Sequence, residues 1–272
     1  MKTFIDKHIN KLLSANITNA NNEIIWFLNK QFGIQIENIK LNNFSLDTIQ
    51  RKEFEEFIKR RMTSEPFQYI INEAPFHSLS LYVNKHVLIP RPETETIIDI
   101  LKTQNVKVNS FLDIGTGSGN IVLAVMYNKI AKQALAIDIS DKALEVAKIN
   151  TKRYNIDNIK FLKCDYLEKN LEQSFDLIVS NPPYISKKEF FELSDSVKNF
   201  EPKLALTDFF DGLTFYRKMA GDINHILNKN GILLMEIGLV EHKDEIEKIF
   251  KNYNLIWHKD LNHDYRFLQI IK

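Results

Sequence analysis

From Val108 to the carboxyl end the chain alternates short β-branched runs with segments of helical period, a rhythm that few folds accommodate. Strands are predicted over Val108–Ile114, Ala134–Asp138, Ile159–Leu162, Phe175–Val179 and Ile232–Ile237, with terminal strands at Leu255–Trp257 and Phe267–Ile271. Helices fall between them over Ile121–Met126, Lys142–Tyr154, Thr214–Leu227 and Glu241–Phe250. Such alternation demands an open, mostly parallel sheet covered by helices on both faces. The predicted class is α/β, a Rossmann-like sheet, and ligands in such sheets bind beyond the carboxyl ends of the strands.

One of those strand ends carries Ser180-Asn181-Pro182-Pro183-Tyr184. Proline fixes φ and lacks an N–H, and the residue before a proline is held extended, so Asn181 and the Pro182 carbonyl are aimed rather than free. Both offer oxygen acceptors, about 3 Å from whatever they bind, and together they fit a planar NH2 group. The Tyr184 ring is expected to pack against that plane. A plain strand-ending turn would use the same residues, so the neighbouring strand ends must decide between the two readings.

Asp113-Ile114-Gly115-Thr116-Gly117-Ser118-Gly119-Asn120 follows the first strand of the alternation and opens a helix. The glycines permit a tight turn and close approach to a ligand. Asn120 stands where a dinucleotide fingerprint wants glycine, no Lys-Ser or Lys-Thr follows for a phosphate loop, and no serine occupies a nucleophile elbow. Pyrophosphate binding is therefore disfavoured. An acidic residue before the glycines and Asp138 at the next strand end suit a cationic amino acid portion and a ribose diol, and Asp165-Tyr166 ends the third strand where an adenine would be bonded and covered. Taken in order, these residues point to S-adenosylmethionine. The predicted cofactor contacts are Asp113, Gly115, Thr116, Gly117, Ser118, Gly119, Asp138, Tyr166 and Asn181.

Upstream, apolar residues recur at helical spacing from Phe4 to Arg61: Ile5, Ile9, Leu12, Leu13, Ile24, Trp26, Phe27, Leu28, Leu46, Ile49, Phe54, Phe57 and Ile58. A small helical domain over residues 1–66 is expected, with its aromatics in the core. Glu65-Pro66 breaks the pattern, and Tyr69–Ile71 with alternating Leu79, Leu81 and Val83 predicts a hairpin linker over 67–86. The catalytic domain then occupies 87–272, opening with Pro90-Arg91-Pro92-Glu93-Thr94-Glu95.

Composition excludes several classes. A formal net charge of +1 gives no overall field toward a polyanion, although Lys59-Arg60-Arg61 forms a local basic run. Cys164 is the single cysteine, ruling out an intrachain disulfide and a multi-cysteine zinc site and fitting a reducing cytosol. None of the seven histidines has metal-ligand spacing. No apolar stretch approaches the roughly 20 residues that span a bilayer, so a cytoplasmic protein away from membranes is expected.

The chain resembles the HemK/PrmC group of protein-glutamine methyltransferases. The likeness covers most of its length: Glu65-Pro66 with Gln68-Tyr69-Ile70, Val87 to Glu95, Asp113 to Gly119, Asp138-Ile139-Ser140, Asn181 to Ile185, Glu201-Pro202, Asp211-Gly212-Leu213 and Glu236-Ile237-Gly238. The run Ile89 to Glu95 is far more specific than the glycine loop. Asn-Pro-Pro-Tyr alone is shared with adenine-amino nucleic-acid methyltransferases, a second reading that the near-zero charge and the missing basic recognition domain disfavour. A non-catalytic cofactor-binding scaffold is a third reading, against which the intact Asn-Pro-Pro-Tyr argues.

The resemblance implies methylation of the glutamine amide in the Gly-Gly-Gln motif of class I peptide chain release factors, with consequences for translation termination. It makes residues 1–66 a docking domain for the factor and predicts a monomer with no stable nucleic-acid partner. Asn181, Pro182 and Tyr184 would be catalytic, and Asn181, Pro182, Pro183 and Tyr184 would hold the substrate. Three positions depart from the pattern: Asn72 and His263 replace usual glycines, and Asp208-Phe209-Phe210 replaces a glycine-containing stretch.

Overall fold

The structure, a computed structural model, describes residues 2–238 and 242–272. The chain divides into two compact units, one formed by residues up to Glu73 with Ser194–Phe200, the other by Ala74–Leu193 and Glu201–Lys272.

The first unit is helical, with helices Lys2–Ser14, Ala20–Phe32, Ile36–Lys40, Thr48–Met62 and Phe67–Ile71. Its core gathers Leu12, Ile24, Leu28, Phe54, Phe57 and Ile58, with Phe27 stacked on Phe57 at 4.2 Å between ring centres. Burying each such side chain contributes about 1.5–3 kcal/mol. Gly33, at φ 68°, closes the second helix, and the helix Thr48–Met62 opens with a capping box between Asp47 and Gln50. Leu13, Trp26 and Ile49 share the apolar period yet lie exposed, because the bundle is too small to cover every side of its helices. The basic run is also quenched. Arg61 is buried against Glu23, 2.6 Å away, and Arg60 donates through Nε to Glu65 at 2.8 Å.

Residues Phe67–Ile71 form a helix rather than the expected strand, since Pro66 sits at its N-cap and Asn72, left-handed at φ 53°, ends it. The hairpin follows as β1 (Ala74–Phe76) and β2 (Leu79–Leu81).

The second unit is a seven-stranded sheet of β3 (Val108–Ile114), β4 (Ala131–Asp138), β5 (Ile159–Lys163), β6 (Phe175–Ser180), β7 (Leu227–Glu236), β8 (Leu255–Lys259) and β9 (Tyr265–Ile271). Their order is β5-β4-β3-β6-β7-β9-β8, parallel from β5 to β7, with β9 antiparallel to both neighbours. Alternate side chains feed opposite cores. Phe111, Leu177 and Leu234 join one, and Leu112, Ile178 and Leu233 join the other. The first core packs under helices Thr96–Thr103 and Asn120–Tyr127, the second under helix Thr214–Ile226 and helix Lys243–Ile249. Glu241, the expected start of the last helix, lies outside the described residues.

Between β6 and Pro202, where the apolar pattern predicts no element, lie two short helices, Lys187–Phe190 and Asp195–Phe200. Ser186 and Glu189 form a capping box at the first, a local signal that outweighs the lack of apolar period.

Candidate active site

The chain builds outward from β3 to β4 and β5, then returns to place β6 on the other side of β3. That reversal opens a crevice at the carboxyl ends of β3 and β6, the place where open α/β sheets bind ligands. Parallel register brings Ile114 opposite Ser180 and Ser180 opposite Met235, so three strand ends lie level. Ser180 Oγ donates to the Ile114 carbonyl at 2.9 Å and locks the two central ends together. A cavity of about 310 Å³ occupies the crevice. It sits at the small end of the roughly 300–1,000 Å³ typical of small-molecule sites.

On one side of it lies the glycine turn. The N–H groups of Gly115 and Thr116 both donate to the Ile137 carbonyl, at 2.9 and 3.0 Å. Gly119 has φ 80°, and a Cβ there would lie 3.2 Å from the Ala147 Cβ, so only glycine lets the turn seat on helix Asp141–Arg153 without strain. Buried Asn150 braces the turn from below by donating to the Ser118 carbonyl at 2.9 Å.

Asp138 lines the cavity. Its Oδ2 accepts from Gly117 N and its Oδ1 from Ser140 N, both at 2.9 Å, and burial raises its pKa. A carboxylate offers about four lone-pair sites, so capacity remains for a further donor such as a diol hydroxyl, which would offset the burial. Ser140, not Asp138, caps the following helix by accepting from Ala143 N.

The predicted residues separate into two groups. Gly115, Thr116, Gly117, Ser118, Asp138, Tyr166, Asn181, Pro182 and Pro183 line the cavity, whereas Asp113, Gly119 and Tyr184 do not. Asp113 is fully buried beneath the turn. Its Oδ2 accepts the Thr116 hydroxyl at 2.7 Å, its Oδ1 makes no hydrogen bond of ordinary geometry, and burial pushes its pKa up to about 7 against the pull of that hydroxyl and the Val122 N–H. Through the Thr116 hydroxyl it braces the turn from below. Tyr166 sends its hydroxyl away from the cavity toward Met219 Sδ, 3.6 Å off, and burial raises its pKa far above the usual phenol value. The polar offer at this strand end comes from Asp165, whose Oδ1 accepts from Leu167 N while Oδ2 makes no hydrogen bond among the described residues.

Tyr184 is held from behind. Its hydroxyl donates to Glu236 Oε1 at 3.3 Å, and Gly212, at φ 81°, approaches so closely that a Cβ there would lie 2.3 Å from the Tyr184 carbonyl oxygen. Its ring is expected to pack against a bound NH2 plane, and the residue itself does not line the cavity. Leu204, Phe209 and Phe215 supply apolar walls.

The three departures from the family pattern share one solution. Asn72, Phe209 and His263 all adopt positive φ, at 53°, 62° and 66°. This is unusual for a residue as bulky as Phe209. Asp208 compensates there, because its carboxylate accepts from the N–H groups of Phe210, Gly212 and Thr214 and from the Thr214 hydroxyl.

Sequence reasoning assigned no role to Thr94, Glu201 or Glu236, although all three stand in the runs that carried the resemblance. Buried Glu201 accepts from Arg91 Nη2 at 2.6 Å and Ile89 N at 3.1 Å, fixing the segment that enters the cavity wall. Buried Glu236 accepts the Thr94 hydroxyl at 2.7 Å, and Asn181 Nδ2 donates to Thr94 Oγ1 at 3.2 Å. Burial pushes the Glu236 pKa up to about 7, opposed by Thr94, Arg266 and Tyr184.

A mostly parallel sheet of this order with an Asn-Pro-Pro turn beside a glycine turn defines a methyltransferase domain. Residues 105–270 match the family described as Methyltransferase domain, and residues 6–71 match the PrmC N-terminal domain. The solved methyltransferase from Pyrococcus furiosus shares this fold, with a TM-score of 0.52 at 17% identity over 83% of this chain and 99% of that one. The release factor glutamine methyltransferase of Streptococcus pneumoniae is 42% identical over 70% of this chain and 68% of its own length. That of Flavobacterium psychrophilum is 38% identical over 84% of this chain and 83% of its own. The chain belongs to the release factor glutamine methyltransferase family. It spans about half the length (48%) of the Rickettsia typhi bifunctional methyltransferase, to which it is 35% identical.

Proposed function

We propose that this chain transfers a methyl group from S-adenosylmethionine to the side-chain amide nitrogen of the glutamine in the Gly-Gly-Gln motif of class I peptide chain release factors. The observation that carries the reading is Asn181 on the cavity wall, with its Nδ2 engaged by Thr94 and its Oδ1 making no hydrogen bond among the described residues. The cofactor fits the residues present. Asp138 keeps acceptor capacity for the ribose hydroxyls, Asp165 for the adenine amino group, and the turn from Gly115 to Ser118 lines the cavity where the amino acid portion would lie. When bound, it supplies a methyl carbon made electrophilic by the adjoining sulfonium.

The rest falls to the protein. An amide nitrogen is a poor nucleophile because its lone pair is delocalised into the carbonyl. Asn181 Oδ1 and the Pro182 carbonyl accept the two N–H bonds, orient the nitrogen, and favour its pyramidal form as the new bond grows, after which one of the two N–H protons is lost to solvent and the N-methyl amide remains. Pro182 and Pro183 keep the two acceptors rigid.

The helical amino-terminal unit is, on this reading, the docking surface for the release factor. A chain lacking residues 2–73 should keep its cofactor affinity by calorimetry while losing most of its methylation of intact factor, and equal loss of both would contradict the assignment. The same reading expects a cytoplasmic monomer that holds no nucleic acid stably. The pairing of Arg60 and Arg61 with carboxylates supports the last point by neutralising two of the three cations in the basic run Lys59-Arg60-Arg61. Mass spectrometry of a class I release factor incubated with the chain and S-adenosylmethionine should show one added methyl group on the motif glutamine. An unmodified glutamine would overturn the proposal.

A further inference from the structure

Thr94 stands 87 positions before Asn181 and 142 before Glu236, yet it bonds both. It is buried, on the short helical turn Pro92–Glu95 that enters the cavity wall. A hydroxyl carries one proton and two lone pairs. The proton of Thr94 goes to Glu236 Oε2, 2.7 Å away, so only lone pairs remain for Asn181 at 3.2 Å. A lone pair can meet only the NH2 side of the Asn181 amide. The other side, Oδ1, is left as the acceptor in the cavity. Without the Thr94 hydroxyl, nothing at this position distinguishes the two faces of the amide, and the flipped form would set NH2 against an incoming N–H. The opposite oxygen of Glu236 receives the Tyr184 hydroxyl at 3.3 Å, so one carboxylate holds Tyr184 of the Asn-Pro-Pro-Tyr turn directly and Asn181 through Thr94.

Resting on the reaction proposed above, we infer that Thr94, polarised by Glu236, is a positioning residue that selects the acceptor orientation of Asn181. It acts through the Asn181 amide. Its contribution should appear in the turnover rate and not in cofactor binding.

The test compares Thr94→Val, which keeps the branched shape, with Thr94→Ser, which keeps the hydroxyl, at pH 8.5 where Glu236 is ionised. The unmodified chain must first methylate the release factor, and its failure would count against the proposed function and not against Thr94. Given that activity, Thr94→Val should lower kcat by about thirtyfold with the cofactor KM within about twofold, and Thr94→Ser should stay within about threefold of the parent. Asn181→Ala combined with Thr94→Val should be no slower than Asn181→Ala alone, since the hydroxyl then has nothing to orient. A Thr94→Val chain within about threefold of the parent kcat, or additive losses in the double variant, would overturn the inference. Should Thr94→Val fail to fold, the unmodified chain still decides. The Asn181 side-chain amide protons, assigned by their absence in Asn181→Ala, should exchange with water more slowly than those of an exposed asparagine, and equally rapid exchange would refute the bond on which the inference stands.

Discussion

Replacing Asn181 by alanine is expected to lower kcat for release factor methylation by about 10²–10³-fold, the usual loss when one preorganised polar partner of a transition state is removed, worth roughly 2.7–4 kcal/mol. The substitution removes the acceptor that makes no other hydrogen bond among the described residues, and it deletes the bond from Nδ2 to Thr94. Pro182 and its carbonyl remain, as do Asp138 and the glycine turn, so cofactor affinity measured by calorimetry should change far less than turnover. A drop in kcat below about tenfold, equivalent to roughly 1.4 kcal/mol, would remove Asn181 from the mechanism.

The second large effect concerns stability. Asp113 ionises near pH 3.8 in an unfolded chain and near 7 when buried beneath the glycine turn. Between these values the folded chain holds a proton that the unfolded chain has released, so stability falls as pH rises from about 4 to 7 and levels off above it. A separation of about three pH units corresponds to roughly 4 kcal/mol at 1.36 kcal/mol each, an upper figure because a buried site relaxes around its charge. Asp113→Asn removes this ionisation while an amide oxygen can still accept the Thr116 hydroxyl. Relative to the parent, the variant should gain on the order of 2 kcal/mol between pH 5 and pH 8, seen as a difference in melting temperature that widens by several degrees. A difference that stays constant with pH would show that Asp113 keeps an ordinary acidity. Glu236 shares the same direction of shift, so the variant should retain part of the parent's downward slope.

Features set by neighbours in the chain were legible. The β-α alternation from Val108 onward yields the parallel sheet because burial on both faces selects β-branched runs and helical period selects the cover. Gly115 to Gly119 and Asn181-Pro182-Pro183 were legible for the same reason, since their backbone restrictions act within a few residues. Helix Phe67–Ile71 was misread because two β-branched residues at its end outweighed the Pro66 and Asn72 signals at its boundaries. The exposure of Trp26 was hidden because period identifies a face without saying whether a small bundle can cover it.

The amino-acid order by itself determined the fold class, the glycine and proline turns at successive strand ends, and the asparagine on which the chemistry is proposed to depend, since each is written in local backbone preference. Only the tertiary structure decided that Asp113 retires below the turn, that Tyr184 is clasped by Gly212 and Glu236, and that Thr94 reaches Asn181. Those outcomes depend on sheet register, which sets the ends of β3, β6 and β7 side by side, and register is fixed by packing between segments far apart in the chain.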